Sequence, residues 1–280
     1  MTTILKLIGC RKQTGDVGIE IELEADNIPG EDSVYPIWRK EADSSLRGES
    51  AEFVLRQPIP LSDIGDALGV LEKQFSKYKT KIRPTYRAGV HVHVNVQHLT
   101  PIQLVNYMCC YFLLEEVLLR YCDETRIGNH FCLRMSDASF SLDSLVDFIL
   151  NEDINRLNTE DLRYASLNIT SLFKYGSVEF RALESTTDFD RINTWASVLT
   201  HLRDYAITLS NPIDLLGQVS AIGFEQIVPV ILGDHYEKFK EFATDANVKR
   251  GVRNIQYAIY ARDWQAKNHN IFKNKNLFAS

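Results

Sequence analysis

Between Gly18 and Glu24 the chain reads GIEIELE, an alternation of period two that fits a strand with one buried face. Ile19, Ile21 and Leu23 project to one side, and Glu20, Glu22 and Glu24 project to the other. Residues on the same face of a strand lie about 6.5 Å apart. At an effective dielectric near 20, neighbouring carboxylates at that spacing repel by roughly 2 to 3 kcal/mol. On a water-washed face the cost nearly vanishes and nothing needs explaining. In a cleft, the arrangement requires protonation or a bound cation. The strand alone leaves both readings open.

Two further stretches share the pattern. In AGVHVHVNV, residues 88 to 96, Val90, Val92, Val94 and Val96 alternate with His91, His93 and Asn95. In GSVEFRALES, Val178 and Phe180 oppose Glu179 and Arg181. YASLNITS is read as the partner of that strand, joined to it by a turn at KYGS. IWRKEADSSLRGESAEFVLRQP reads as two extended pieces around a polar turn, a hairpin. Helices are expected at 62–79, with Ser62 as N-cap, and after Thr100, where Pro101 and Gln103 complete a capping box. One more is expected around LDSLVDFIL. From Asp188 the chain reads as helical to about residue 263, with breaks near Asn211, Gly223 and Gly233. The last residues, KNHNIFKNKNLFAS, read as a tail.

Strands with one polar face, followed by long amphipathic helices, predict an α+β fold: a mostly antiparallel sheet, helices on its apolar face and an open polar face. The length of 280 residues suits one large domain with an appendage, divided as 1–207 and 208–280. Hydrophobic residues at 45% and charged residues at 24% are globular values. A net charge of −6 offers no overall basic field, which argues against free nucleic acid as a partner. Five cysteines without CxxC spacing are expected to be reduced thiols of a cytoplasmic protein. The early acids do not suit a signal peptide, and Glu115 and Glu116 interrupt the one long apolar run, so no membrane insertion is expected.

Sheet formation would gather the ionisable residues of the three strands on one face. A donor set rich in Glu with an occasional imidazole suits magnesium or manganese better than zinc. With the Arg181 guanidinium close by, it offers what phosphoryl transfer needs. The chain has no GxxxxGK loop, no GxGxxG after a strand and no GxSxG elbow, so a nucleotide would have to be held by a sheet face and metals.

The order GIEIE, W..EADSSLRG....EFVLRQP, GVHVHVN, RYASLNI and GSVEFRALES resembles the amidoligases, carboxylate-amine ligases related to glutamine synthetase and glutamate-cysteine ligase. The resemblance covers roughly residues 15 to 200. It implies a curved antiparallel sheet of the glutamine synthetase type, ATP and Mg2+ or Mn2+ as cofactors, and an amide or isopeptide bond made through an acyl phosphate. By the same resemblance Glu20, Glu22, Glu52, His91 and Glu179 are the metal ligands, with Glu24 a less certain one. Arg181, Glu179 and Glu20 are catalytic. His93, Asn95, Arg181, Asn168 and Arg163 contact the nucleotide or substrate, Tyr164 belongs to the same motif, and Asp43 and Arg47 lie on a loop that reaches the carboxylate. The carboxylate and amine substrates are not named by the sequence, and a homo-oligomer is an open expectation. The rival readings are a phosphotransferase on the same scaffold and a non-catalytic protein that keeps the fold.

Overall fold

The computed structural model of the chain describes residues 2–135 and 137–260, so the expected tail from residue 267 lies outside it. The described strands are β1 (Val17–Asp26), β2 (Trp38–Glu41), β3 (Ser50–Leu55), β4 (Lys81–Ile82), β5 (Gly89–Asn95), β6 (Leu167–Asn168) and β7 (Ser177–Glu184). They form one sheet in the order β2-β3-β1-β5-β7-β6, with β4 paired to the end of β1. Every named pairing is antiparallel. The fold is therefore α+β with an open antiparallel sheet, as the alternating strands predict. The β2–β3 hairpin also forms where expected, with Trp38 opposite Leu55 and Glu41 opposite Glu52.

Ten helices accompany the sheet among the described residues: α1 (Ile4–Ile8), α2 (Ile64–Tyr78), α3 (Pro101–Cys122), α4 (Ser139–Asn151), α5 (Ser171–Tyr175), α6 (Phe189–Ile207), α7 (Pro212–Ile222), α8 (Phe224–Leu232), α9 (Tyr236–Phe239) and α10 (Asp245–Tyr260). The apolar residues of β1, β5 and β7 are buried, with β7 packed on α3 and β5 on α6. Phe180 of β7 meets Tyr111 and Tyr107 of α3 at ring-centroid distances of 4.9 and 5.7 Å. Phe53 of β3 meets Phe75 of α2 edge-on at 5.4 Å. Such aromatic packing fixes which face of each strand is dry.

Helix α3 starts with the expected capping box: Gln103 N–H donates to Thr100 Oγ1 at 3.4 Å and Thr100 N–H donates to Gln103 Oε1 at 2.9 Å. By length and composition α3 could cross a membrane, but nearly all of it is buried inside this fold, between β7, α6 and α10. Its two glutamates are held by polar partners. Ser166 Oγ (2.5 Å) and the Met135 N–H (3.0 Å) donate to Glu115, and Arg134 pairs with Glu116 at 3.0 Å. Burial pushes the Glu115 carboxyl up to about 7, against the pull of those donors. In the same helix, burial pushes the Cys109 thiol up to about 12, which suits packing rather than reaction.

Two local expectations are corrected. Ser62 is not an N-cap: it lies in a 3-10 turn, Leu61–Asp63, where its hydroxyl donates to Asp63 at 2.8 Å, and α2 begins at Ile64. The connection from β6 to β7 is not a tight turn at KYGS but the short helix α5. Gly176 ends α5 at φ +69°, and a Cβ there would meet the Gln97 side chain at 2.4 Å.

Beyond α6 the chain breaks at Asn211, which caps α7, and at Gly223 and Gly233, as the sequence indicates. Helix α10 then returns across α3. The approach is so close that a Cβ at Gly251 would lie 1.9 Å from the Leu113 carbonyl oxygen. Gly251→Ala should therefore force the two helices apart and lower stability by about 1–3 kcal/mol. A thermal melt checks this, and a single lowered transition would mean that α10 unfolds together with the sheet.

Candidate active site

Directly opposed residues of an antiparallel pair share a face, so the strand register assembles the site. Glu20 lies opposite His91, and Gly18 opposite His93. Glu22 lies opposite Glu52. His93 and Asn168 both lie opposite Glu179, one on each side of β7. Residues nearly 160 positions apart in sequence thus form one polar floor.

Four carboxylate contacts surround the two imidazoles. His91 Nδ1 lies 3.3 Å from Glu20 and 3.4 Å from Glu179, and His91 Nε2 lies 3.6 Å from Glu22. His93 Nε2 lies 3.3 Å from Glu20, yet this buried nitrogen makes no hydrogen bond. Glu20, His93 and Glu179 each bring one ligand-type atom to within 4.8 Å of the other two. Glu20, His93 and Glu179 are thus a donor trio that could hold a metal ion, with His91 beside them. His91 sits between three acids, its Nδ1 hydrogen-bonded to Glu20.

The charges shift one another. Burial opposes ionisation of Glu20, but the His93 and His91 imidazoles outweigh it and hold the carboxyl below its usual range. Burial also opposes ionisation of Glu179, where Arg181 and the two histidines win in the same way. His93 is held above the ordinary histidine range, because Glu20 and Glu179 overcome its desolvation. Glu52 behaves oppositely: burial, then the charges of Glu20 and Glu22, push its carboxyl up to about 8. Burial raises Glu22 as well. The acids that face the imidazoles are thus shifted toward ionisation, and Glu22 and Glu52 toward the protonated form.

Arg181 closes one side. Its guanidinium pairs with Glu179 and its Nε donates to the Phe131 carbonyl at 3.3 Å. The β5–β7 register slips here: Val92 faces Phe180, but Val90 faces Leu183, so β7 carries one extra residue. Such a bulge leaves carbonyls without ladder partners and re-aims the strand. Arg126 takes them. This fully buried arginine donates to the Arg181 and Ala182 carbonyls at 2.7 and 3.1 Å, and to Ala88 and Tyr86 at 3.3 and 3.4 Å. The sequence gives no signal for Arg126, which lies in a turn-rich segment and acts on a bulge that only pairing creates.

The remaining expected residues divide. Asn168 donates to Glu179 at 2.6 Å and accepts from Thr170, so it orients the acid. Asn95 holds main chain, donating to the Gly15 carbonyl at 2.8 Å and accepting from Gln97 N–H at 3.0 Å, which uses one of its two amide N–H groups. Glu24 accepts the Arg47 N–H at 2.8 Å and so anchors the 43–47 loop. The Arg47 guanidinium folds back onto the carbonyls of Ser44, Ser45 and Leu46 rather than reaching outward. Asp43, Arg163 and Tyr164 do reach the site: with Arg87 they rim a cleft of about 540 Å³ that opens over Glu22, Asn168 and Arg181.

A buried carboxylate and imidazole cluster thus sits beside an arginine on the floor of a cleft over an antiparallel sheet, with a donor trio that could hold a metal ion. The family profile described as "Putative amidoligase enzyme" matches residues 57–202, and the chain belongs to this family. Glu20, Glu22 and Glu52 precede the matched stretch. No curated protein sequence matches the chain. A solved structure, the bifunctional glutathione synthetase from Pasteurella multocida, aligns at 12% identity over 98% of this chain, with a TM-score of 0.40. The chain spans 53% of that protein's length, and a likeness at this level decides nothing about its activity.

Proposed function

We propose that the protein is an ATP-dependent carboxylate-amine ligase with a glutamine synthetase-like sheet, and that the 208–260 helices are integral to its catalytic domain. The observation that supports this reading most is the joining, in an amidoligase family member, of the Glu20, His93 and Glu179 trio to Arg181 beneath one cleft. The donor set fits a magnesium or manganese ion: hard oxygens, one imidazole, and a buried His93 nitrogen without a hydrogen bond. Glu20, Glu179 and His93 would hold such an ion, with Glu22 and Glu52 as the neighbouring carboxylates. Its chemistry there would be to neutralise phosphate charge and orient the nucleotide.

The chain's own residues do the rest. Arg181, held by Glu179 and the Phe131 carbonyl, presents fixed positive charge where a phosphoryl group would pass from ATP to the substrate carboxylate. Asn168 keeps Glu179 in place. The amine then attacks the acyl phosphate, the carbon–nitrogen bond forms, and phosphate leaves with the bonding electron pair while a proton departs from the amine. A cytoplasmic setting, where ATP is supplied, belongs to the same proposal.

Hydroxylamine serves as a general amine in the test. With ATP, magnesium and a pool of carboxylic acids, the protein should form a hydroxamate together with ADP and phosphate, in equal amounts and only when acid and amine are both present. Phosphate transfer without hydroxamate would favour the phosphotransferase; no ATP consumption with any acid would overturn the ligase reading.

The floor also predicts a pH dependence. Glu52 carries a proton below about 8, His93 keeps its own to higher pH than an ordinary imidazole, and both must release them to face a cation. Magnesium affinity should therefore increase from pH 6 to pH 9, by up to about tenfold per pH unit for each proton displaced. Calorimetry in two buffers of different ionisation enthalpy reads the protons released, and a flat profile would contradict the assignment.

A further inference from the structure

Arginines in this protein are usually spent on a named partner. Arg39, Arg56, Arg83, Arg134, Arg181 and Arg191 each meet a carboxylate, and Arg47 and Arg126 bind main-chain carbonyls. Two arginines that line the cleft do neither. Arg87 lies with its guanidinium carbon 5.1 Å from the Tyr86 ring centre and 5.9 Å from that of Phe131, and donates only to the Tyr86 hydroxyl, at 3.1 Å. Arg163 lies 4.9 Å above the Tyr164 ring. Among the described residues neither guanidinium pairs with a carboxylate, although Asp43 and Glu160 line the same cleft.

Stacking holds such a side chain in a restricted orientation while leaving its edge donors free, and those donors match the two oxygens of a carboxylate or a phosphonate. Arg181 and the acidic floor already provide for the phosphoryl group, so the outer arginines are surplus to that step. We infer that the carboxylate donor carries a second anionic group, bound at Arg87 and Arg163 while the reacting carboxylate reaches down to Arg181. This rests on the ligase reading. The substrate class is thus a dianion, a dicarboxylate or a phosphono- or phosphocarboxylate, rather than a simple monocarboxylic acid.

The test is a calorimetric titration of the full chain with butyrate, glutarate and 3-phosphonopropionate, with magnesium and a non-hydrolysable ATP analogue present. The two dianions should bind about tenfold or more tighter than butyrate, the margin of one charge-assisted hydrogen bond. The double variant Arg87→Gln with Arg163→Gln should lose that margin while binding the magnesium nucleotide as the wild type does. A gain for the phosphono acid alone would assign the second group to phosphate chemistry, and a gain for both would show that carboxylate suffices. Equal binding of butyrate and glutarate, no binding of either dianion at millimolar concentration, or a margin that survives in the double variant would overturn the inference and leave the ligase reading intact. Loss of nucleotide binding in the double variant would overturn it too, by assigning the arginines to ATP. If the wild type bound the dianions but no nucleotide, the anion site would stand and the ligase reading would fall.

Discussion

Arg126→Met is expected to destabilise the protein by about 3–5 kcal/mol, because the lost guanidinium leaves several buried carbonyls without donors at about 1–3 kcal/mol each. Those carbonyls belong to Ala88, Arg181 and Ala182, so they span the entry to β5 and the bulge of β7, while the Tyr86 carbonyl keeps its bond from Asn129 at 2.8 Å. Methionine restores volume but donates nothing. Arg126→Lys should recover only part of the loss, since a compact ammonium cannot span four oxygens as a planar fork does. Urea titration checks both: the midpoint should fall with the slope unchanged. A loss under about 1 kcal/mol would show that the bulge is held by other contacts.

Arg181→Met is expected to slow hydroxamate formation by about 10²–10³-fold, the usual cost of removing one fixed positive donor from a developing oxyanion. Arg181→Lys should retain an intermediate rate by keeping charge without the fork. The substitution also removes the largest influence that lowers Glu179, whose carboxyl should then move upward. A circular dichroism melt run beside the rate measurement separates lost chemistry from lost structure. A rate within about threefold of wild type would remove Arg181 from the reaction.

Much of this site could be read from the chain because its residues lie on strands of period two. Once Ile19, Ile21 and Leu23 are buried, Glu20, Glu22 and Glu24 have only one face left, and the same holds for His91 and His93 beside their valines. Pattern alone could not give the roles within that face. Glu24 accepts the Arg47 N–H and Asn95 donates to the Gly15 carbonyl, because each lies beside a loop with main-chain groups to satisfy. The difference between His91 and His93 depends on register: three acids converge on one imidazole and leave a nitrogen of the other without a hydrogen bond. Arg126, Arg87 and the rim of the cleft come from loops, whose convergence no local period encodes.

The three stacked acids of β1 therefore meet three different fates: Glu20 among imidazoles, Glu22 raised by burial, and Glu24 bound to a loop. Only the first two depend on what fills the cleft. The account is tested most directly by a thermal melt of the protein with magnesium and a non-hydrolysable ATP analogue, repeated with EDTA. At about a hundred times the dissociation constant the ligand should add roughly 2.7 kcal/mol, a shift of several degrees that EDTA abolishes. No shift at high concentration, or one indifferent to EDTA, would contradict a metal-dependent nucleotide site on this sheet.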